Sequence, residues 1–527
     1  MGLASFYEEL RRRRVVRVLL AYGVVAFGVL QVAEPILHAL GLGEGAMRLV
    51  VLGLAAGFPA AAILSWIYDL TPRGLERTAP AAGNHPQAGP EGPPSVAVLP
   101  FSDLSPGGDH AWFCDGVAEE MLGALCCVPG LRVISRSSSF QFRGKDMDAR
   151  EVGRALGATT LLEGSVRRAG GRVRVAARIV DARAGVDLWS ESFDRALEDT
   201  FAVQEEIALA VVRALRLRVG GDEEGRLRAS GASRATREPR AYDLYLRARH
   251  ALMGHSPAGL AEARDAAKAA IALDPGFAHA HAALADVAVM AATWNFTVPG
   301  AGDLRGEALA AAAEALRLAP ELAEARLAHA NVLTLLGRAE EAEADFRSAE
   351  ALAPGWADAP YFHGRALHAM GRAREAVAAF EEAVRRDPDD YAALAMLENA
   401  LQNAGDLEAA RRASVLGLAA TERRLAIAPD DVRALYFGAA LDWQVGGRRR
   451  AAAWAERALA LGGDDFTVLY NVACYFARAG DRSRALDLLE RAAAKGEGSR
   501  AWITHDPDVA SLRDEPRFQA ILARLKA

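Results

Sequence analysis

Ala330, Gly337, Ala342, Phe346, Ala349 and Pro354 return 34 residues later as Gly364, Gly371, Ala376, Phe380, Ala383 and Pro388, and this repetition limits the fold more than any other feature. Each position keeps its residue type or a smaller one. The small residues let two helices cross closely, and the aromatic fills the crevice between them. The proline stops the second helix, because it has no amide to donate and its ring clashes with the preceding turn. A period of this length belongs to helix pairs stacked in a solenoid. One pair cannot bury its own apolar face, so neighbours must stack on it.

The pattern resembles the tetratricopeptide repeat position by position. Its frame extends back through Pro320 to Pro275 and forward through Gly405, Ala410, Pro429, Ala451, Ala458, Gly463, Ala473, Gly480, Ala485 and Ala492. About seven units are expected over 241–497, with a polar-faced capping helix within 498–527. Stacked pairs curve, and their first helices line the inner wall. In this frame the inward candidates are Asn331, Tyr361, Arg365, Asn399, Tyr436, Asp442 and Tyr470. Asparagine both donates to and accepts from an extended backbone, and tyrosine offers rigid amphipathic contact area, so the set suits a bound protein or peptide segment. Ordinary solvated helix faces account for the same residues about as well.

The 527 residues leave room for three or four domains, and 51% hydrophobic residues with 25% charged ones is ordinary folded protein. A net charge of −6 argues against nonspecific coating of nucleic acid. Cys114, Cys126, Cys127 and Cys474 show none of the spacings of zinc or redox motifs, and unpaired cysteines favour a reducing compartment.

Near the amino terminus, Arg11 to Arg14 and Arg17 precede an uncharged run from Val18 to Ala33, and a second uncharged run covers Leu49 to Tyr68. At about 1.5 Å of rise per helical residue, the second run is long enough to cross a bilayer. We therefore expect an anchor of two membrane spans over about 18–42 and 49–68. A secretory signal peptide is the rival reading of the first run. Arginines before the first span and after the second place both chain ends in the cytoplasm, so a multi-pass inner-membrane protein is expected, with lipid as one partner. The proline-rich 78–94 reads as a linker, and so does the glycine- and serine-rich 220–240.

Between the linkers, 95–219 reads as an α/β domain with a mixed sheet. Ser95–Phe101 is a buried strand, Asp115–Cys127 a helix capped by Asp115, Leu131–Arg136 a strand and Asp148–Leu156 a helix ended by Gly157. Thr160–Arg167 and Arg172–Val180 form a hairpin around Ala169-Gly170-Gly171. A strand over Asp187–Phe193 and an amphipathic helix over Phe201–Val219 follow. The strings SVAVLPFSDLS, FCDGVAEEM, LRVISRSSSFQFRGK, LGATTLLEGSVRRAGGRVRVAARIVDARAG and DLWSESFDRALEDTFAVQEEIA resemble the amino-terminal-type domain of TolB found in bacterial membrane proteins with tetratricopeptide repeats, related to the CsgG and FlgO groups. The resemblance implies a membrane-associated interaction or signalling protein, and some relatives carry a nucleotide cyclase or DNA-binding domain ahead of these parts.

The loop Ser102–Gly108 lacks the spacing of a phosphate-binding loop. The cluster Ser135, Arg136, Ser137, Ser138, Ser139, Arg143 and Lys145 reads as a solvated loop before an anion site. Glu163, in an apolar strand, is expected to pair with an arginine such as Arg136 or Arg174. No catalytic residue, cofactor or metal is expected. The fold class is thus two transmembrane helices, an α/β domain and an all-α solenoid. The function is a scaffold or signal relay that binds a protein segment, and the alternative is a component of nucleotide cyclase or nucleotide-responsive signalling. Periplasmic placement is a third possibility.

Overall fold

The computed structural model describes residues 94–108, 110–145, 147–169, 172–196, 206–211, 238–253, 256–294, 296–494 and 500–525, together with single residues at 213 and 236, scattered helical residues before 59, and strands at 68–71 and 74–77. Two compact units result, Met1–Glu91 and Gly92–Ala527.

In the first unit β1 (Tyr68–Thr71) and β2 (Gly74–Arg77) pair antiparallel, with Leu70 opposite Leu75. This corrects the expected two-span anchor. Most of 18–42 and 49–68 lies outside the described residues, and no described helix is long and apolar enough to cross a membrane. Tyr68, expected to end a helical span, instead pairs its backbone with Arg77 in a sheet. The fold is a mostly helical solenoid with a mixed sheet region. The multi-pass inner-membrane placement, which rested on those two helices, loses its support.

The second unit begins with the sheet, ordered β5 (Arg132–Val133), β3 (Ser95–Val98), β6 (Thr160–Ala169), β7 (Arg172–Asp181), β8 (Val186–Ala196), with β4 (Ser102–Asp103) also beside β6. The strands β3, β5 and β6 run parallel, and β6, β7 and β8 form an antiparallel meander. Alternation of side chains sends successive residues to opposite faces. Val96 and Val98 join a core with α1 (Ala111–Cys126), whereas Ala97 joins another with Val152 and Leu156 of α2 (Ala149–Leu156). Asp148 caps α2 by accepting from the Arg150 amide, and Gly157 ends it at a φ of 57°. Such a φ suits glycine, which has no Cβ to clash. Of the expected helix over Phe201–Val219, only 206–211 and 213 are described.

Seven helix pairs follow among the described residues: α3 (Pro239–Leu252) with α4 (Pro257–Leu273), α5 (Ala278–Trp294) with α6 (Leu304–Leu318), α7 (Ala323–Leu335) with α8 (Ala339–Leu352), α9 (Asp358–Ala369) with α10 (Ala373–Arg386), α11 (Tyr391–Ala404) with α12 (Leu407–Ile427), α13 (Val432–Val445) with α14 (Arg448–Gly462), and α15 (Phe466–Ala479) with α16 (Arg482–Ala493). The helices α4, α6, α8, α10 and α12 each end two residues before a proline, because the residue preceding proline is steered out of the helical region. Ala342, Ala349, Ala376 and Ala383 are fully buried, and Phe346 and Phe380 are each 1% exposed. A Cβ on Gly364 would lie 2.8 Å from the Phe380 ring, so this crossing needs glycine.

Residues 500–525 form three short pieces, α17 (Arg500–His505), a 3₁₀ segment (Pro507–Leu512) and α18 (Pro516–Arg524). The helix α18 packs on the last helix of the stack, α16, which the 3₁₀ segment also touches. The 3₁₀ segment lies on α15 and α11, and α17 on α9. The carboxy-terminal stretch thus straps the first helices of the fourth, fifth and seventh pairs.

The sheet region is docked on the solenoid. The Gly355 amide, between α8 and α9, donates to the Cys126 carbonyl at 2.8 Å. The Ser135 amide donates to Asp387 at 3.2 Å, and Lys145 Nζ to the Ile427 carbonyl at 2.9 Å. These partners occupy successive inter-pair loops or the helix end entering one. On the first pair, Tyr245 donates to Glu120 at 2.7 Å and Arg249 Nε to Glu119 at 3.1 Å. Ser135 and Lys145 of the basic cluster expected as a solvated loop therefore reach the solenoid, while its arginines Arg136 and Arg143 pair within the sheet region. Arg136 pairs with Glu119 at 3.1 Å, and Arg143 pairs with Asp115. Asp115, expected as a helix cap, lies inside α1 at 2% exposure, where it also meets His250. Glu163 pairs with Arg178, its cross-strand neighbour, at 2.8 Å, and not with Arg136 or Arg174.

Candidate functional site

The first helices α9, α11 and α15 present a polar wall to the carboxy-terminal strap. At its centre Asp506 caps the 3₁₀ segment, accepting from the Asp508 amide at 2.9 Å. The same carboxylate accepts from Asn399 Nδ2 at 3.0 Å and from the Tyr470 hydroxyl at 2.5 Å. Asp506 is 4% exposed, so its charge is carried by these donors and not by water. Burial, then the Asp506 charge, push the Tyr470 hydroxyl well above its ordinary pKa and keep it a donor.

Beside this socket lies a buried arginine. Arg478 bridges Glu398 at 2.7 Å and Asp508 at 3.2 Å and donates to Gln444 at 3.0 Å. Cys474 also faces Asp506 at 3.9 Å. The Cys474 sulfur and the Asp506 and Asp508 oxygens lie within 4.8 Å of one another, a spacing that a metal ion tolerates. Arg478 already supplies the positive charge there, and the Cys474 thiol is held protonated by burial and by Asp506, whereas a metal needs the thiolate.

At the other end of the strap, the Trp502 ring lies 4.4 Å from His368, centroid to centroid, with the Arg365 guanidinium 5.4 Å from the Trp502 ring. Burial lowers the His368 pKa and its neighbour His505 adds to this, while Asp506 opposes both.

Of the residues expected on the inner wall, the structure brings Arg365, Asn399 and Tyr470 to the strap. Tyr361 is on α9, but its hydroxyl accepts from Arg433 at 3.1 Å. Tyr436 is buried against Phe437 within the stack. Asp442, 1% exposed, accepts from Arg450 Nη2 at 2.7 Å at the α13–α14 turn. Asn331 is buried on α7. The sequence reading missed Glu398, Arg478, Asp506 and Asp508. Glu398 carried a usable signal, for it stands 34 residues after Gly364, where the frame has a small residue. A carboxylate at a crowded position demands a buried cation.

Residues 357–390, which hold α9 and α10, match the family model described as Tetratricopeptide repeat. The chain carries tetratricopeptide repeats. Among curated proteins it is similar to "Putative adenylate cyclase 3" of Rhizobium meliloti (strain 1021), with 37% identity over 279 residues, 53% of this chain and 46% of the relative. The chain thus spans about half the length of that relative. Solved structures similar to it include YrrB, described as a TPR protein with an unusual peptide-binding site, at 20% identity, 37% of this chain, 96% of that one and a TM-score of 0.24. A tetratricopeptide repeat protein from Parabacteroides merdae ATCC 43184 is similar at 17% identity, 51% of this chain, 98% of that one and a TM-score of 0.33.

Proposed function

We propose that the chain is an interaction scaffold or signalling component that holds a protein segment along the first helices of its repeats, with no catalytic step of its own. One observation carries this reading. Asn399, Tyr470 and Arg478 form a buried polar socket on the repeat wall, and a stretch of polypeptide fills it through its carboxylates. A wall that merely met solvent would have no need to bury an arginine between Glu398 and an incoming aspartate. Residues 95–219, which resemble the TolB amino-terminal-type domain, dock across successive inter-repeat loops, an arrangement suited to passing strain from the wall to the sheet.

The test is photo-crosslinking in native cells, with the crosslinker placed at Arg365 on the wall of the full chain and, as control, at the exposed Glu408. A defined protein captured from Arg365 and not from Glu408 is the expected result. Equal capture from both sites would remove the repeat wall as the binding surface.

A second reading follows from the likeness to the Rhizobium meliloti relative, whose printed name is a cyclase. In it the chain is a regulatory component of nucleotide cyclase or nucleotide-responsive signalling. Titration of the full chain with ATP and with cyclic AMP separates the two, since saturable micromolar binding favours the second.

A further inference from the structure

The strap shows what the wall is shaped to hold. Trp502 sits against Arg365 and His368, and four residues later Asp506 and Asp508 enter the sockets of Asn399, Tyr470 and Arg478. Spacing and charge are thereby both defined: an aromatic ring for a cationic and imidazole surface, then an Asp-Pro-Asp whose two carboxylates meet three donors. The proline between them leaves the Asp508 amide free to close the turn on Asp506 at 2.9 Å. Arg478 pairs with Glu398 at 2.7 Å and takes Asp508 as a second carboxylate at 3.2 Å, so the strap's acid enters a guanidinium fixed in place by the wall itself.

The strap also has the properties of an exchangeable occupant. Its helix α17 is six residues long and the 3₁₀ segment another six, and helices this short have no stability of their own in water. What holds them is the wall. Ala501, Thr504, Ala510 and Ser511 are exposed, so one side of the strap faces solvent. The fit is incomplete as well: His368 Nε2 is buried and has no hydrogen-bond partner among the described residues.

We propose that the inner wall of α9, α11 and α15 is a docking site for a partner protein segment carrying an aromatic residue four positions before Asp-Pro-Asp, and that the chain's own residues 500–512 occupy it until such a partner displaces them. This rests on the scaffold reading above and names the partner's chemistry.

The probe is a fluorescent peptide of residues 500–513, titrated by anisotropy into the full chain and into the full chain carrying Trp502→Ala and Asp506→Ala, changes that loosen the strap and leave the wall intact. The loosened chain is expected to bind the peptide at least tenfold more tightly than the unaltered one. A peptide with both aspartates replaced by asparagine is expected to lose at least tenfold. Hydrogen exchange on the unaltered chain gives the same answer without substitution, since amides of 500–512 should exchange at least tenfold faster than those of α15. Equal protection of strap and α15, or a folded loosened chain that binds no better than the unaltered one, overturns the proposal. Dimerisation of the loosened chain without peptide binding overturns it in favour of a second copy as the occupant. If the peptide fails while the Arg365 crosslink still captures a protein, the scaffold reading survives and only this partner chemistry falls.

Discussion

The Tyr470 hydroxyl donates to the Asp506 carboxylate at 2.5 Å, although 36 residues separate them along the chain. Tyr470 belongs to the last repeat and Asp506 to the strap, so this bond ties the end of the chain to the wall that the repeats build. It is buried, which makes it costly to leave half made. Removing one partner of a buried pair strands the other, and the stranded group pays its desolvation in full.

From this we predict that Tyr470→Phe destabilises the chain by about 1 to 3 kcal/mol, the range for a buried acceptor that loses a donor. Asn399 keeps one oxygen of Asp506 satisfied, which places the expected cost below that of losing the carboxylate itself. Urea denaturation monitored by circular dichroism measures the loss, and hydrogen exchange should place the weakening in residues 500–512. A loss spread evenly over all repeats would contradict the local role.

Arg478 is a stronger case. Its side chain is 7% exposed and that of Glu398 2%, so Arg478→Ala leaves buried carboxylates without their cation, a loss of about 3 to 5 kcal/mol. Pairing Arg478→Met with Glu398→Gln and Asp508→Asn should recover most of that, because the charges leave together. Thermal melts of the single and triple variants check it. A triple variant as unstable as the single one would mean that Arg478 acts through packing alone.

The Gly364 and Phe380 contact calls for a double-mutant cycle. A Cβ at 364 would meet the Phe380 ring at 2.8 Å, so Gly364→Ala should cost about 1 to 3 kcal/mol by overpacking. With Phe380→Leu in the background the clash has less to strike, and the cost should shrink. Strict additivity in urea titrations would show that the two do not share the crevice.

How much of this was readable in advance depends on where each residue's partner lies. The repeat pattern, the helix ended by Gly157 and the hairpin of β6 with β7 are set by neighbours a few residues away or by a fixed period, and those expectations match the observed elements. Asp115 and the basic stretch from Ser135 to Lys145 failed differently. Their partners, among them His250, Asp387 and Ile427, stand up to 282 residues distant, and no local pattern names them. The wall candidates split the same way: Asn399 and Tyr470 were found by frame, while Asp506 lies outside the repeats and was invisible to it. Hydropathy over 18–68 has length and charge but no pairing information, and the strand at Tyr68 shows why such a run does not by itself specify a crossing helix.

The junction between sheet and solenoid yields a pH prediction whose sign follows from Asp387. This carboxyl is fully buried, and burial first, then the nearby Asp390 charge, raise its pKa from 3.8 to about 7, while the bond from Ser135 opposes the rise. The folded state therefore holds a proton that the unfolded chain releases near 3.8. Folding is favoured by this group in full below that value, and the advantage drains away as pH rises toward about 7. Asp387→Asn keeps an acceptor for the Ser135 amide and never ionises. The variant should match the unaltered chain near pH 4 and exceed it at pH 8 by up to about 4 kcal/mol, the difference growing between those limits. Urea midpoints across that range test it. A variant that is less stable at pH 8 would mean that Asp387 is charged in the folded chain and that its negative charge, not its proton, holds the sheet region on the repeats.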